Sequence, residues 1–423
     1  MDPSPPPAAP PEHVDPKVRF AALRFRDFRL LWGGQLVSIA GSQMQVVANH
    51  VQVYRLAGQI PGANPALYLG LIGLMQFIPL VLLGLGAGML ADRFDRRRVL
   101  LITQSLLMVY AAVLALLTWL GSITLPLLYG LIMLSFATRT FDTPARQALV
   151  PTLVPRPVLP NALSLNMIAW QFGMIVGPTV AGLLIAQLPI ALIYAIDAVT
   201  YGAVLVSLWM MRSRDPIRER REPVSFKAAF EGLRFVRRSP IILSTMLLDF
   251  VATFFGAATT LLPLFADQVL GVGSRELGLM YSAPAAGAVV TAIIMSLLGE
   301  LRRQGRTVVV AVVLYGLATA LFGWSRWLPL TLLALAGTGA ADTVSTVLRG
   351  TIRQISTPDE LRGRATSVNM LFFQGGPMLG EIEAGLAATA LGAPLAVVLG
   401  GIACVAAALL IGWKIPALRE YDQ

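Results

Sequence analysis

The chain is poor in charge, has one cysteine and only two histidines in 423 residues. Asp, Glu, Lys and Arg make up 13% of it, against 56% hydrophobic residues. A soluble globular domain carries about 25% charge, so that class is excluded and an integral membrane protein is indicated. Cys404 is alone, which excludes a disulfide-stapled ectodomain. His50 has no second nitrogen or thiolate at ligand spacing, which leaves no metal site. The phosphate-cradling pattern Gly-x-x-x-x-Gly-Lys-Ser/Thr is missing, so neither nucleotide-driven pumping nor any other cofactor chemistry is expected of this chain. Residues 1–22 are rich in proline and contain no apolar core ahead of a cleavage site, and they read as a disordered cytoplasmic tail, not a signal peptide.

What is abundant is apolar sequence. Crossing a bilayer takes about 20 apolar residues per helix, and twelve such runs are predicted: 29–56, 67–91, 98–120, 124–148, 160–187, 190–211, 241–267, 276–299, 307–325, 328–354, 363–391 and 394–414. The fold class expected is an all-α membrane protein of twelve transmembrane helices in two pseudo-symmetric six-helix bundles. All but four of the 33 basic residues then fall on one face. Arg55, Arg275 and Arg326 lie on the other, and Arg139 stays inside the membrane. By the positive-inside rule both termini are cytoplasmic, and the net charge of +10 needs no nucleic-acid partner.

The sequence also repeats itself. At an offset of 203 residues, 155–183 matches 358–386 at Pro155/Pro358, Ala162/Ala365, Ser164/Ser367, Asn166/Asn369, Met167/Met370, Gln171/Gln374, Gly173/Gly376, Gly177/Gly380, Ala181/Ala384, Gly182/Gly385 and Leu183/Leu386. Two related bundles with a site between them are implied. The expected division is a bundle over 23–211, a cytoplasmic linker over 212–240 and a second bundle over 241–423. Between 226 and 238, apolar residues alternate with basic ones in a way that suits an amphipathic helix on the inner leaflet or a loose basic loop.

Ionisable groups at membrane depth cost about 2.5–3.5 kcal/mol each, so each needs a partner, water or a task. Arg139, Asp142 and Arg146 form a ladder on helix 4. Asp197 lies in helix 6, Asp249 in helix 7, Asp342 in helix 10, and Glu381 and Glu383 in helix 11. A carboxylate beside an arginine in a cavity that changes sides can take up and lose a proton; structural ion pairing is the alternative, and it suits Asp142 and Arg146. Helix 1 is too polar to face lipid all round, and Ser42, Gln43 and His50 on it, with Gln171 and Gln374 on helices 5 and 11, are candidates to line a central cavity.

At the end of helix 2 the chain reads Gly88-Met-Leu-Ala-Asp92-Arg93-Phe-Asp95-Arg96-Arg97-Arg98. Gly88 permits close backbone approach, and the basic run anchors the loop at an anionic leaflet. This spacing resembles the signature loop of the major facilitator superfamily. The resemblance implies that Asp92, with Gly88, Arg93, Arg96 and Arg97, acts as a conformational latch, with Asp142, Arg146 and the start of helix 11 as its surroundings. Asp95 stands where the general pattern has glycine. Gly173-x-x-x-Gly177-Pro178-x-x-x-Gly182 on helix 5 resembles the glycine-proline signature of proton-driven exporters in that superfamily; in the second copy Glu381 replaces the proline. With the stretches 141–151 and 379–385, the chain is similar to the bacterial branch of enterobactin-exporter-like and macrolide-efflux-like proteins. The resemblance implies a monomeric secondary transporter in the inner membrane that exports an amphipathic organic molecule, such as a siderophore or drug, in exchange for protons. An importer or lysolipid flippase on the same scaffold, or a non-transporting receptor or scaffold, remains open at this point.

Overall fold

The computed structural model describes residues 20–212, 233–298 and 303–421, and within these the side chains of 85–93, 359–360, 362–364 and 367 lie outside the description. Twelve long helices follow one another: α1 (Arg26–Gly58), α2 (Pro65–Arg93), α3 (Arg96–Trp119), α4 (Leu125–Leu153), α5 (Leu159–Ile185), α6 (Ile190–Met210), α7 (Pro240–Phe255), α8 (Ser274–Leu298), α9 (Gln304–Trp324), α10 (Leu328–Ser356), α11 (Asp359–Leu391) and α12 (Ala393–Lys414). No strand occurs among the described residues. Among the described residues, nine helices are apolar and long enough to cross a bilayer by length and composition, and α1, α4 and α11 are not among them. Those three carry several of the polar candidates, among them Ser42, Arg139 and Glu381. The proposed amphipathic helix of 226–238 lies largely outside the described residues; 233–238 are helical.

Local chemistry sets the ends. Asp95 caps α3 by accepting from the backbone amides of Arg97 at 2.9 Å and Arg98 at 3.4 Å, so the residue that departs from the family pattern is a helix N-cap. Gly392 ends α11 with φ of 84°, a value that favours glycine and lets α12 start at the next residue. Helix 7 was expected to run unbroken over 241–267. Instead α7 ends at Phe255 and continues as a 3-10 turn (Ala258–Leu261), one α-turn (Leu262–Leu264) and a π-helical turn (Phe265–Val269). The break follows Gly256, whose carbonyl accepts from the Tyr315 hydroxyl at 3.3 Å; a carbonyl bonded sideways no longer serves the helix ladder.

The packing obeys the repeat. α1 packs on α5 and α6, α2 on α4, and α3 on α4 and α6; α7 packs on α11 and α12, α8 on α10, and α9 on α10 and α12. The two bundles meet through α2 with α11 and α5 with α8. We call the end where α1 begins and α12 ends the terminal face, and the other the far face. Toward the far face one hydrophobic core runs through both bundles, joining Val47, Leu69 and Ile185 to Leu261, Met280 and Ala388. Toward the terminal face the cores are separate, one within α1–α6 and others within the second bundle. The pairs α4–α11 and α5–α10 make no extensive contact among the described residues.

The repeated glycines explain the seams. A Cβ on Gly177 would lie 2.6 Å from the Ala40 carbonyl oxygen of α1, and one on Gly380 would lie 2.9 Å from the Phe254 carbonyl carbon of α7. One turn on, a Cβ on Gly182 would come 2.6 Å from the Gly278 Cα, and one on Gly385 would come 2.7 Å from the Gly70 Cα. In each copy the earlier glycine docks a helix inside its own bundle and the later one docks it against the other bundle. Gly182→Leu is therefore expected to cost about 1–3 kcal/mol by overpacking, whereas Gly130→Ala, where nothing lies within 4 Å, gains up to about 1 kcal/mol of helix propensity. Unfolding midpoints of the two variants in detergent check this.

Candidate functional site

Each bundle holds a charged cluster in its interior. In the first, Arg139 of α4 donates from Nη2 to the Tyr201 hydroxyl at 2.6 Å and to Gln45 Oε1 at 3.4 Å. Tyr201 in turn is 3.0 Å from the Ser42 hydroxyl. One turn toward the terminal face, Asp142 accepts from Thr103 at 2.8 Å, from Gln104 at 2.7 Å and from Arg146 in an ion pair. Asp197 is fully buried; Thr200 donates to its Oδ1 at 3.3 Å, and Oδ2 has no partner. Arg139 acts on it electrostatically. Gly41 makes the room, since a Cβ there would lie 2.9 Å from Asp197 Oδ1.

In the second bundle the centre is Arg349 of α10, 1% exposed. Its Nη2 is 2.9 Å from Asp249 Oδ1 of α7 and 3.5 Å from Asp342 Oδ1. Nη2 also donates to Thr346 at 2.9 Å, and Thr346 donates to Asp342 at 3.3 Å. Asp249 is buried, while the Asp342 side chain is 44% exposed. A half-open carboxylate midway along a spanning helix cannot face hydrocarbon, so this side of α10 borders water between the bundles. Arg349, which the sequence distinguishes from the other basic residues of its face by nothing local, stands nearly two turns inside α10 and is held by acids on two helices.

Glu381 has a different setting. It lies on the α2–α11 seam, where a Cβ on Gly73 would be 3.0 Å from its Oε2 and a Cβ on Gly70 would be 2.8 Å from its backbone oxygen. Oε2 is buried and has no partner. Pro178, its counterpart in the first copy, offers its carbonyl to Gly278 in the same way, 2.6 Å from a Cβ there. The sequence puts an acid and a proline at equivalent points of two equivalent helix crossings.

The remaining candidates fall into three groups. Ser42 and His50 are buried, at 7% and 5% exposure, with Ser42 committed to Tyr201. Gln43 is half-buried against Gly177. Gln171 lies on the stripe of α5 that continues Gly182, Pro178 and Ile175 toward the terminal face; it and Gln374 are partly exposed where the bundles have parted, and Glu383 is half-buried. Of the proposed latch, Gly88, Asp92 and Arg93 fall outside the described side chains. Arg96 and Arg97 reach the carbonyls of Ala148 at 3.0 Å and Trp209 at 3.1 Å, pinning α3 to the ends of α4 and α6 as cations do at helix C-termini. Among these candidates, Ser42 and Arg139 are brought together, as are Asp142 with Arg146 and Asp249 with Asp342. Tyr201, Gln104 and Arg349 belong to the clusters and escaped the sequence reading. For Arg349 a signal existed: the 203-residue offset aligns it with Arg146.

Residues 17–423 match a major facilitator family model described as transmembrane secretion effector. The chain belongs to this family of membrane transporters. It is 28% identical over 338 residues to the enterobactin exporter EntS of Shigella boydii, covering 80% of this chain and 79% of that protein. An Escherichia coli EntS is 27% identical over the same span. Among solved structures, a POT family transporter in complex with 5-aminolevulinic acid superposes with a TM-score of 0.72 at 10% identity, covering 92% of this chain and 96% of that one. The xylose transporter XylE of E. coli, in its inward open conformation, gives 0.69 at 14% identity, with 94% and 96% covered. These structures share the fold.

Removing one partner of a buried ion pair costs about 3–5 kcal/mol, because the other charge is left uncompensated. Arg349→Met is expected to destabilise this family member by that amount, and Asp249→Leu combined with Arg349→Met to recover most of it. Detergent unfolding midpoints of the single and double variants test the coupling.

Proposed function

We propose that the protein exports an amphipathic organic small molecule, of siderophore or drug type, across the bacterial inner membrane in exchange for protons. Both termini are cytoplasmic in this reading, and a monomer suffices. The terminal face is then the cytoplasmic side, and the structure stands open inward. The observation that carries the proposal is the division of the cores: fused through both bundles at the far face and separate at the terminal face. A molecule of amphipathic character enters the gap beside Asp342, Gln171 and Gln374 from the cytoplasm. Rocking of the bundles about the α2–α11 and α5–α8 crossings then opens the far face.

Glu381 links that motion to protons. With the seam closed, its carboxyl sits against the α2 backbone without a cation, where a negative charge costs several kcal/mol and a neutral acid does not. Opening the seam lets water reach it. Closing after release therefore carries a proton inward. Arg139 with Asp197, and Arg349 with Asp249 and Asp342, offset charge in the bundle interiors and shape the walls, while Asp92, Arg93 and Gly88 belong to the latch at the cytoplasmic end. The similarity to enterobactin exporters supports a catecholate siderophore as the first probe.

In inverted membrane vesicles with an acidic lumen, the protein is expected to accumulate enterobactin. Glu381→Gln should reduce gradient-dependent uptake at least tenfold. Uptake that ignores the gradient excludes antiport, and uptake driven only in right-side-out vesicles makes the protein an importer.

A further inference from the structure

Helices α4 and α10 carry one pattern with a single reversal of charge. At the 203-residue offset, Thr140, Thr143 and Arg146 of α4 correspond to Thr343, Thr346 and Arg349 of α10, identical in each case, while Arg139 corresponds to Asp342. Equivalent points on equivalent helices thus hold opposite charges, both near the middle of a spanning helix. The packing sets these helices on opposite walls of the gap. In the first bundle α2 and α5 make the seams with the other bundle, α3 and α6 lie behind, and α1 with α4 fills the wall between the seams; α7 with α10 does the same in the second bundle.

Each of the two groups keeps bonding capacity that its own bundle does not use. Arg139 spends Nη2 on Tyr201 and Gln45, while its Nε and Nη1 are neither hydrogen-bonded nor buried. Asp342 spends Oδ1 on Thr346 and Arg349, while its Oδ2 is neither hydrogen-bonded nor buried. The cations that follow on α10 are withdrawn, Arg349 being 1% exposed and Arg353 having its Nη1 buried. Free N–H groups on a guanidinium and a free carboxylate oxygen at this depth cannot face hydrocarbon, so both border the gap. The seams do not need them, since the bundles meet through Gly70, Gly182, Gly278 and Gly385. Gln171 and Gln374, identical under the same offset, add neutral donors and acceptors to the walls.

We infer that Arg139 and Asp342 are the two poles of one substrate site and that the transported molecule is dipolar. Its acceptor end, a carboxylate or other anion in the tightest binders, lies on the Arg139 guanidinium. Its donor end, an ammonium in the tightest binders and hydroxyl groups in others, lies on the Asp342 carboxylate. This rests on the transport reading above and narrows its amphipathic substrate to a chemical class. A guanidinium offers a fork of parallel N–H donors that fits a planar anion, and a carboxylate only accepts. Between apolar walls each contact is stronger than in bulk water. A molecule that lacks one pole leaves the matching group without its partner, which is how a polar site rejects an analogue.

The test is equilibrium binding to the purified protein in nanodiscs, without a gradient, read by fluorescence anisotropy with empty nanodiscs subtracted. Three matched probes are used: ciprofloxacin, zwitterionic at neutral pH; its ethyl ester, which keeps only the cation; and N-acetylciprofloxacin, which keeps only the anion. The wild type is expected to bind ciprofloxacin at least about tenfold tighter than either analogue. Arg139→Gln should erase the advantage over the ester and keep that over the N-acetyl compound; Asp342→Asn should do the converse. Tyr201→Phe removes the hydroxyl that holds Arg139 without removing a charge. It should cut the advantage over the ester and serves if Arg139→Gln fails to fold. Equal affinities of the three probes for the wild type overturn the inference, as does a lack of ciprofloxacin binding. Arg139→Gln or Asp342→Asn weakening all three probes alike also overturns it, by making the residue a structural support or a contact between bundles. Vesicle uptake stays a separate readout: lost uptake with intact selectivity for the poles refutes export alone, and lost selectivity with intact uptake refutes the site alone.

Discussion

A charge inside a bilayer must be matched within a few ångströms or meet water, and the arrangement of this protein follows from how it meets that demand. Arg139 and Arg146 stand against Asp142 and Asp197 in one bundle, and Arg349 stands against Asp249 and Asp342 in the other. Matching consumes the polar residues of α1, α3, α4 and α6 on one side and of α7 and α10 on the other, which binds each set of helices into a unit. Helices such as α6 and α12 can then present long apolar faces to lipid. The same residues that look like scattered liabilities in the sequence are what makes each bundle a rigid body.

Glu381 is the exception, and its exception is positional. It occupies the point in the second repeat that Pro178 occupies in the first, at a backbone-to-backbone crossing between bundles. Symmetry of the fold dictates a close contact at both places. Nothing in packing dictates that one of them should be a carboxyl group, and the glycines opposite leave it no cation. Glu381, without an ion pair among the described residues, sits on one of the two surfaces where the bundles meet.

Much of this was legible in the sequence for physical reasons. Apolar runs of bilayer length fix the helices because hydrocarbon allows no other backbone solution, and the 203-residue repeat names the glycines at the seams because close approach tolerates no Cβ. What sequence could not supply is direction around a helix. Ser42 and His50 were expected in a cavity and are buried in packing; Arg349 read as one of many basic residues on one face and is a cluster centre. Helix 7 read as continuous because its residues are largely apolar, while its break goes with Tyr315, 59 positions away, reaching the Gly256 carbonyl. Pairings such as Tyr54 with Asp267 join residues more than 200 positions apart, and no local period announces them.

The energetic contrast between these two kinds of contact explains how the molecule can move without coming apart. Inside a bundle, separating Arg349 from Asp249 strands a charge at a cost of about 3–5 kcal/mol. Between the bundles the hydrogen bonds are of another kind: Tyr54 with Asp267, Asn64 with the Thr389 carbonyl and Gln268 with Tyr54 are exposed, and the less exposed ones, Thr179 with Ser282 and Thr260 with the Leu69 carbonyl, join neutral groups. Water replaces such bonds at a net cost of about 0.5–1.5 kcal/mol each. The glycine crossings add contact without interlocking side chains, so they part along a smooth surface. In the proposed cycle these seams part before the bundle interiors are disturbed, and the carboxyl of Glu381 lies on one of them.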